Sequence, residues 1–229
     1  MEDLVDAIEL PLFPLNTVLF PGQVLPLHIF EDRYRLMVRH CLAEERPFGV
    51  VLIRSGQEVG GAAEPYPVGT LARIVESSHL ADGTLNIVTV GVERFRIRRL
   101  IYDQPYLRGE IESFPIAAPE GDPTVAHLAQ QVQQRVVRYI ELIAEAAGLR
   151  IKVDNAPDLP RQVGYLAAVA MQIDNREKQK LLAATSVERL LTIEKALLNR
   201  ENALLTWMAQ TKAWPHRAQF GTSGTLLPN

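Results

Sequence analysis

The stretch that most restricts what this chain can fold into is LPLFPLNTVLFPGQVLPLHIFEDRYR, from Leu10 to Arg35. Four prolines, Pro11, Pro14, Pro21 and Pro26, stand among dense aliphatics. Each fixes φ and lacks an N–H, so none suits a helix interior. Each also drives its predecessor toward extended geometry. The stretch therefore reads as short extended segments, with Val24 to Ile29 as a strand. Phe20-Pro21-Gly22 suits a turn, because proline pre-sets φ and glycine is free to take a positive one. Prolines in strands belong at edges or bulges, which predicts an irregular, bent sheet.

At Glu31 the pattern changes to a charged, helix-favouring run. Tyr34, Met37, Val38, Cys41 and Leu42 recur at three- and four-residue spacing and make one apolar face, which predicts a helix over 31–45 ended by Pro47. Glu31 and Asp32 suit the positive end of its dipole. After it, Phe48 to Arg54, Val68 to Leu80, Thr84 to Val90, Glu93 to Leu100 and Tyr106 to Phe114 read as strands, with 55–67 as a loop. Asp82-Gly83 is a hairpin signal, and Gly91 marks a bulge or bend. Six or more short strands with one early helix suggest a small, partly closed barrel.

PIAAPEGDP, from Pro115 to Pro123, is a composition break and the best linker candidate. Beyond it the apolar period becomes helical. A long helix carries Val125, Leu128, Val132, Val136, Ile140 and Ile143 and ends at Gly148. Asp158 to Ile173 and Asn175 to Ala184 read as two more. A fourth starts at a capping box of Thr185 with Glu188 and runs to about Thr211. On it Leu190, Leu197 and Leu204 are seven apart, as are Leu191, Leu198 and Leu205, a seam that packs inside a bundle or against a partner. The expected domains are residues 1–118, residues 119–212, and a poorly ordered tail over 213–229, in which Trp214 and Phe220 dock locally.

The chemistry-bearing patterns are absent. No G-x-x-x-x-G-K-[ST] cradles a phosphate, and no G-x-G-x-x-G or G-x-S-x-G stands in the chain. His28, His40, His79, His127 and His216 are scattered, without spacing that puts two ligands on one face. The single cysteine, Cys41, lies on the apolar face of the first helix, which reads as a structural thiol and excludes an internal disulfide. No catalytic, metal or cofactor-binding residue is therefore expected. The N-terminus is acidic, without the basic n-region of a secretory signal. No apolar run approaches the ~18 residues of a membrane span. The expected location is the cytoplasm, away from membranes.

Charge leaves one alternative open. Arg94, Arg96 and Arg98 alternate along a predicted strand, with Arg99 beside them. That spacing puts arginines on a wet face, where they could meet phosphate or RNA. Residues 1–118, however, hold eleven arginines, no lysine and sixteen carboxylates, a net charge of −5. That balance works against a polyanion.

PLFPLNTVLFPGQVLPLHIFEDRYRLM, from Pro11 to Met37, resembles the opening of the N-terminal, substrate-binding domain of the Lon ATP-dependent proteases. VGTLARI (Val68–Ile74), VGVERFRI (Val90–Ile97) and, more loosely, KQKLLAATSVERLLTIEKALLNRE (Lys178–Glu201) continue the resemblance, over about residues 8 to 210. It implies an α+β fold: a PUA-like β-barrel with one early helix, followed by a C-terminal four-helix bundle-like domain. It also implies a module that recognises unfolded or apolar polypeptide segments and helps assemble a ring. In full-length Lon an AAA+ motor and a Ser–Lys peptidase follow. This sequence ends at Asn229 without a phosphate loop, so the expectation is a free-standing, non-enzymatic relative. It acts as adaptor or regulator in protein quality control, with a full-length Lon or another protein as a further partner. Pro14, Pro21, Gly22, Pro26, Glu31, Arg33 and Tyr34 are expected to fix the entry strands and first helix, with Arg33 meeting a carboxylate or carbonyl. Phe13, Phe20, Phe30 and Tyr34 are the candidate peptide-contacting aromatics. RNA binding through Arg94, Arg96 and Arg98 is the alternative. Client and oligomeric state are not encoded legibly.

Overall fold

The structure is a computed structural model that describes residues 8–60, 63–118, 121–151, 153 and 157–211. Among these, the chain forms two compact units. One holds the chain up to Pro115 together with Asn175–Leu182. The other holds Ile116–Asp174 and the chain from Ala183 onward.

The first unit contains strands β1 (Ile8–Leu15), β2 (Val24–Ile29), β3 (Phe48–Gly56), β4 (Ala63–Pro65), β5 (Val68–His79), β6 (Leu85–Ile101) and β7 (Arg108–Ser113), with helix α1 (Asp32–Ala43). Strand pairing runs β1–β7–β6–β5–β3, and β3 pairs β1 in turn, so the order returns to its start. β2 joins β6, and β4 joins β3. The prolines explain how β1 serves two neighbours. Ile8 to Pro11 pair antiparallel with β7, and Leu12 to Leu15 pair parallel with β3. The change of partner falls at Pro11, which has no N–H for a ladder.

The predicted turn forms. Gln23 N–H donates to Phe20 O at 3.1 Å, and Gly22 takes φ of +81°, the arrangement of proline then glycine in a type II turn. The turn rests on β6. A Cβ at Gly91 would lie 2.3 Å from Phe20 O, so only glycine lets the two backbones approach.

Two details differ from the sequence reading. Gly91 does not end a strand: the segments expected at Thr84–Val90 and Glu93–Leu100 are one 17-residue strand, β6. The bulge expected at Gly91 is present within that strand, as a register shift against β5 between Thr70 and Ala72. The loop expected over 55–67 contains the short strand β4.

α1 buries Tyr34, Met37, Val38 and Cys41. They pack with Phe13, Leu25, Ile29, Phe48, Leu85 and Ile87, among others, in the main core of this unit. Leu10, Leu12, Val51, Phe95 and Ile111 form a second buried cluster.

The second unit contains α2 (Pro123–Ala146), α3 (Pro160–Ala170) and α5 (Val187–Thr211). Asp122 caps α2, its carboxylate accepting from Thr124 N–H at 2.8 Å. The capping residue of α5 is Ser186 rather than Thr185: Ser186 Oγ accepts from Arg189 N–H at 3.1 Å. Tyr139 of α2 receives Gln172 N–H at 2.9 Å. The leucine seam is buried at Leu190, Leu191 and Leu198 but emerges at Leu204. The helix α4 (Asn175–Leu182) was expected among four bundled helices. It belongs instead to the first unit, held by polar contacts to β5 and β6.

Candidate functional site

β2 alternates as period two requires. Leu25 and Ile29 point into the core, while Val24, Pro26 and His28 lie on the opposite, outer face. Register places Val24 opposite Val90, Pro26 opposite Val88 and His28 opposite Asn86. The outer face is thus an apolar ladder of Val24, Pro26, Val88 and Val90 with a polar end. At that end His28 Nδ1 lies 2.7 Å from Asn86 Oδ1, and the His28 ring stacks on Phe30 with centroids 6.1 Å apart. Val24 is 57% exposed and Phe30 45%. Thr89, between the two valines, turns inward and donates from Oγ1 to Leu25 O at 2.8 Å, which satisfies its hydroxyl in the core.

The four aromatics marked as peptide contacts divide. Phe13, Phe20 and Tyr34 are buried. Phe13 lies 4.1 Å from Tyr34 and 6.1 Å from Phe48 between ring centroids. Burial pushes the Tyr34 hydroxyl up to about 12. Only Phe30 of the four reaches the surface.

The motif residues stitch segments together. Glu31, at the N-cap of α1, accepts from Arg33 Nε at 3.0 Å and from Gly60 N–H at 3.1 Å. Arg33 Nη2 donates to Glu58 O at 3.3 Å, and its guanidinium lies 4.5 Å from the Tyr34 ring centroid. Arg33 therefore meets both a carboxylate and a carbonyl. Asn16 Nδ2 completes the tie by donating to Glu58 Oε2 at 2.7 Å. Pro14 pairs Val51 within β1, and Pro21 and Gly22 form the turn on β6.

The arginine strand corrects the sequence reading. Arg94 was expected on a wet face; it is 2% exposed, and its guanidinium packs 4.8 Å from the Phe114 centroid. Arg96 stacks on the same ring at 4.2 Å and lies 3.9 Å from Glu112. Arg98 pairs with Glu112, and Arg99 pairs with Glu110 at 3.0 Å. Cross-strand register sets Glu112 opposite Arg96 and Glu110 opposite Arg99, while Arg94 is enclosed by Phe114 and the Leu182 carbonyl. Two carboxylates thus pair with three of the four arginines, and the charge that would attract phosphate is partly offset within the sheet.

One cavity of about 240 Å³ opens in this unit, lined by Glu9, His40, Cys41, Arg46, Tyr106 and Arg108 among others. His40 Nδ1 contacts Tyr106 Oη at 3.0 Å. Burial pushes the Cys41 thiol up to about 11, against a smaller lowering by Arg46, so the thiolate needed for nucleophilic work is suppressed. Arg108 is held by Glu9 and Asp103, both at 2.7 Å. Sequence reasoning did not find this cavity, because its wall is assembled from segments far apart in the chain. Among the described residues no group of three or more His, Cys, Asp or Glu could hold a metal ion, and no helix is long and apolar enough to cross a membrane.

The family model for the ATP-dependent protease La (LON) substrate-binding domain matches residues 9–200. A Lon protease of Anaeromyxobacter dehalogenans is 30% identical over 198 residues, which cover 86% of this chain and 24% of that protein. Lon protease 2 of Myxococcus xanthus is 28% identical over the same shares. The chain thus spans about a quarter of the length of these curated relatives. A crystal structure of a Lon N-terminal domain protein from Xanthomonas campestris superposes with a TM-score of 0.61 at 28% identity, covering 87% of this chain and 98% of that one. The N-terminal domain of a Mycobacterium avium complex Lon protease gives 0.64 at 20% identity, covering 86% and 98%, and bears on the fold alone.

Proposed function

Because this chain belongs to the Lon substrate-binding domain family, we propose that it binds unfolded or apolar polypeptide segments on the outer face of β2 and β6. The observation that carries this reading is the outer-face ladder in which exposed Val24 stands with half-buried Pro26, Val88 and Val90, with exposed Phe30 at its end. Apolar side chains gathered on a sheet's solvent side are a partner surface rather than scattered exposure. The module itself is non-enzymatic in this reading. These 229 residues carry neither a phosphate loop nor a nucleophile–base pair, and the thiol beside the cavity is kept protonated. It serves as an adaptor or regulator of protein quality control in the cytoplasm, where a free buried thiol such as Cys41 is at home. A full-length Lon or a client protein would be its partner. The ring of strand pairings in the first unit supports a PUA-like barrel as the finer description of that unit.

Nucleic acid is the weaker reading, because Arg94 is buried and Glu110 and Glu112 pair with the other three arginines of the strand. The test is fluorescence anisotropy with a labelled, permanently unfolded protein, beside suppression of aggregation of a model client. Binding at roughly tens of micromolar or tighter is expected, weakened about tenfold when Val24 and Val88 both become Asp. No binding in that range, or equal binding by the double variant, sinks the reading.

A further inference from the structure

β2 is an edge strand: among the described residues it pairs with β6 alone. Which main-chain groups face its open side follows from register. Gly91 N–H donates to Gln23 O at 2.9 Å, so Gln23 and Gly91 occupy a hydrogen-bonded position of the antiparallel ladder. Such positions alternate. Leu25, Leu27 and Ile29 therefore direct their N–H and C=O toward β6. Val24, Pro26 and His28 direct theirs away from it. Leu27, on the core-facing side, is only partly buried, so apolar surface is accessible along this edge on both faces of the sheet.

We propose that an extended polypeptide segment adds to the open edge of β2 as a further strand, bonded to the main chain of Val24, Pro26 and His28. The proposal rests on the polypeptide-binding reading above and supplies its mode. Unpaired N–H and C=O groups in strand geometry are complementary to another strand and to little else. Main-chain pairing is also indifferent to client sequence, as a receptor for diverse unfolded segments requires. The edge offers N–H groups at Val24 and His28 and C=O groups at Val24, Pro26 and His28. Pro26 withholds the central donor, since its nitrogen bears no hydrogen. That position is where an edge strand tolerates proline without loss to its own sheet. It also weakens edge-to-edge association, leaving an edge that pairs reversibly. Side chains of the added strand on the outer side continue the ladder of Val24, Pro26, Val88 and Val90. Those on the other side cover Leu27.

The test uses the whole chain and a capped, fluorescent octapeptide alternating valine and serine. Two analogues carry backbone N-methyl groups, one on every valine and one on every serine. A strand paired along one edge donates N–H from alternate residues only. One analogue should therefore lose at least about tenfold in affinity, and the other should stay within about twofold of the parent. Pro26→Ala restores a donor and should tighten the parent peptide by about threefold, with an unchanged thermal midpoint confirming the fold. Equal effects from the two methylation patterns overturn edge pairing and leave polypeptide binding standing. Absence of binding by the parent peptide overturns both.

Discussion

Arg94, in the middle of β6, donates from Nη1 to the carbonyl oxygen of Leu182 at 2.6 Å. Leu182 is the last residue of α4, so its carbonyl is one that the helix itself leaves without a partner. The cation also sits at the negative end of the helix dipole. Three residues earlier, Gln179 Nε2 donates to Val68 O at 2.9 Å. Two long polar side chains, both buried, thus clamp a short helix onto β5 and β6.

Removing the clamp should release α4 before it unfolds the sheet. Arg94→Ala leaves a buried carbonyl without its charged donor, at a cost of about 2–3 kcal/mol. The check is denaturant unfolding together with amide exchange. α4 amides should lose protection in the variant while β3 and β5 retain it. A variant with the wild-type midpoint and protected α4 amides would show that the clamp contributes nothing.

Gly91 and Gly22 separate two reasons for glycine at one turn. A methyl at Gly91 would meet the Phe20 carbonyl at 2.3 Å, a backbone group that cannot swing aside. At Gly22 nothing lies within 4 Å, and only φ of +81° resists a side chain. Gly22→Ala should therefore cost about 1–2 kcal/mol, and Gly91→Ala about 3 kcal/mol or more. Thermal or urea unfolding ranks them, and the reverse order would refute this account of the close approach.

The elements visible in the sequence were those written in local pattern. Four prolines and Gly22 marked the bent entry strands and the turn, and apolar spacing from Tyr34 to Cys41 marked α1. What could not be read depended on partners distant in the chain. Arg94 alternates with Phe95 as a wet-face residue would, yet Phe114 and Leu182 enclose it. α4 is polar by local pattern, and nothing in NREKQKLL says which unit it joins. Phe13, Phe20 and Phe30 look alike in sequence. β1 and the Phe20–Gln23 turn place the first two inside, while Phe30 follows the end of β2 on its outer side. The outer-face ladder likewise needed the β2–β6 register, which sets Val24 against a residue 66 positions later, Val90.

Glu194 on α5 sets up the remaining prediction. Its side chain is fully buried, and neither carboxyl oxygen has a hydrogen-bond partner among the described residues. α3 approaches closely enough that a Cβ at Gly164 would touch Leu190 at 2.6 Å and stand 3.5 Å from Glu194 Oε2. Burial pushes the carboxyl well above the usual carboxylate range, so the folded protein holds it protonated. The unfolded chain ionises it from near pH 4.5 upward. Over that window the unfolded state binds fewer protons than the folded one, and stability falls as pH rises toward the folded-state pKa. Wild-type stability measured by urea unfolding should therefore decline from pH 5 to pH 8 more steeply than that of Glu194→Gln, which keeps the shape without the titration. Glu194→Met, which also removes the unsatisfied polar group, should be more stable than wild type at pH 8 by about 1–3 kcal/mol. Parallel pH profiles for wild type and Glu194→Gln would mean that the acid finds a partner or water in solution.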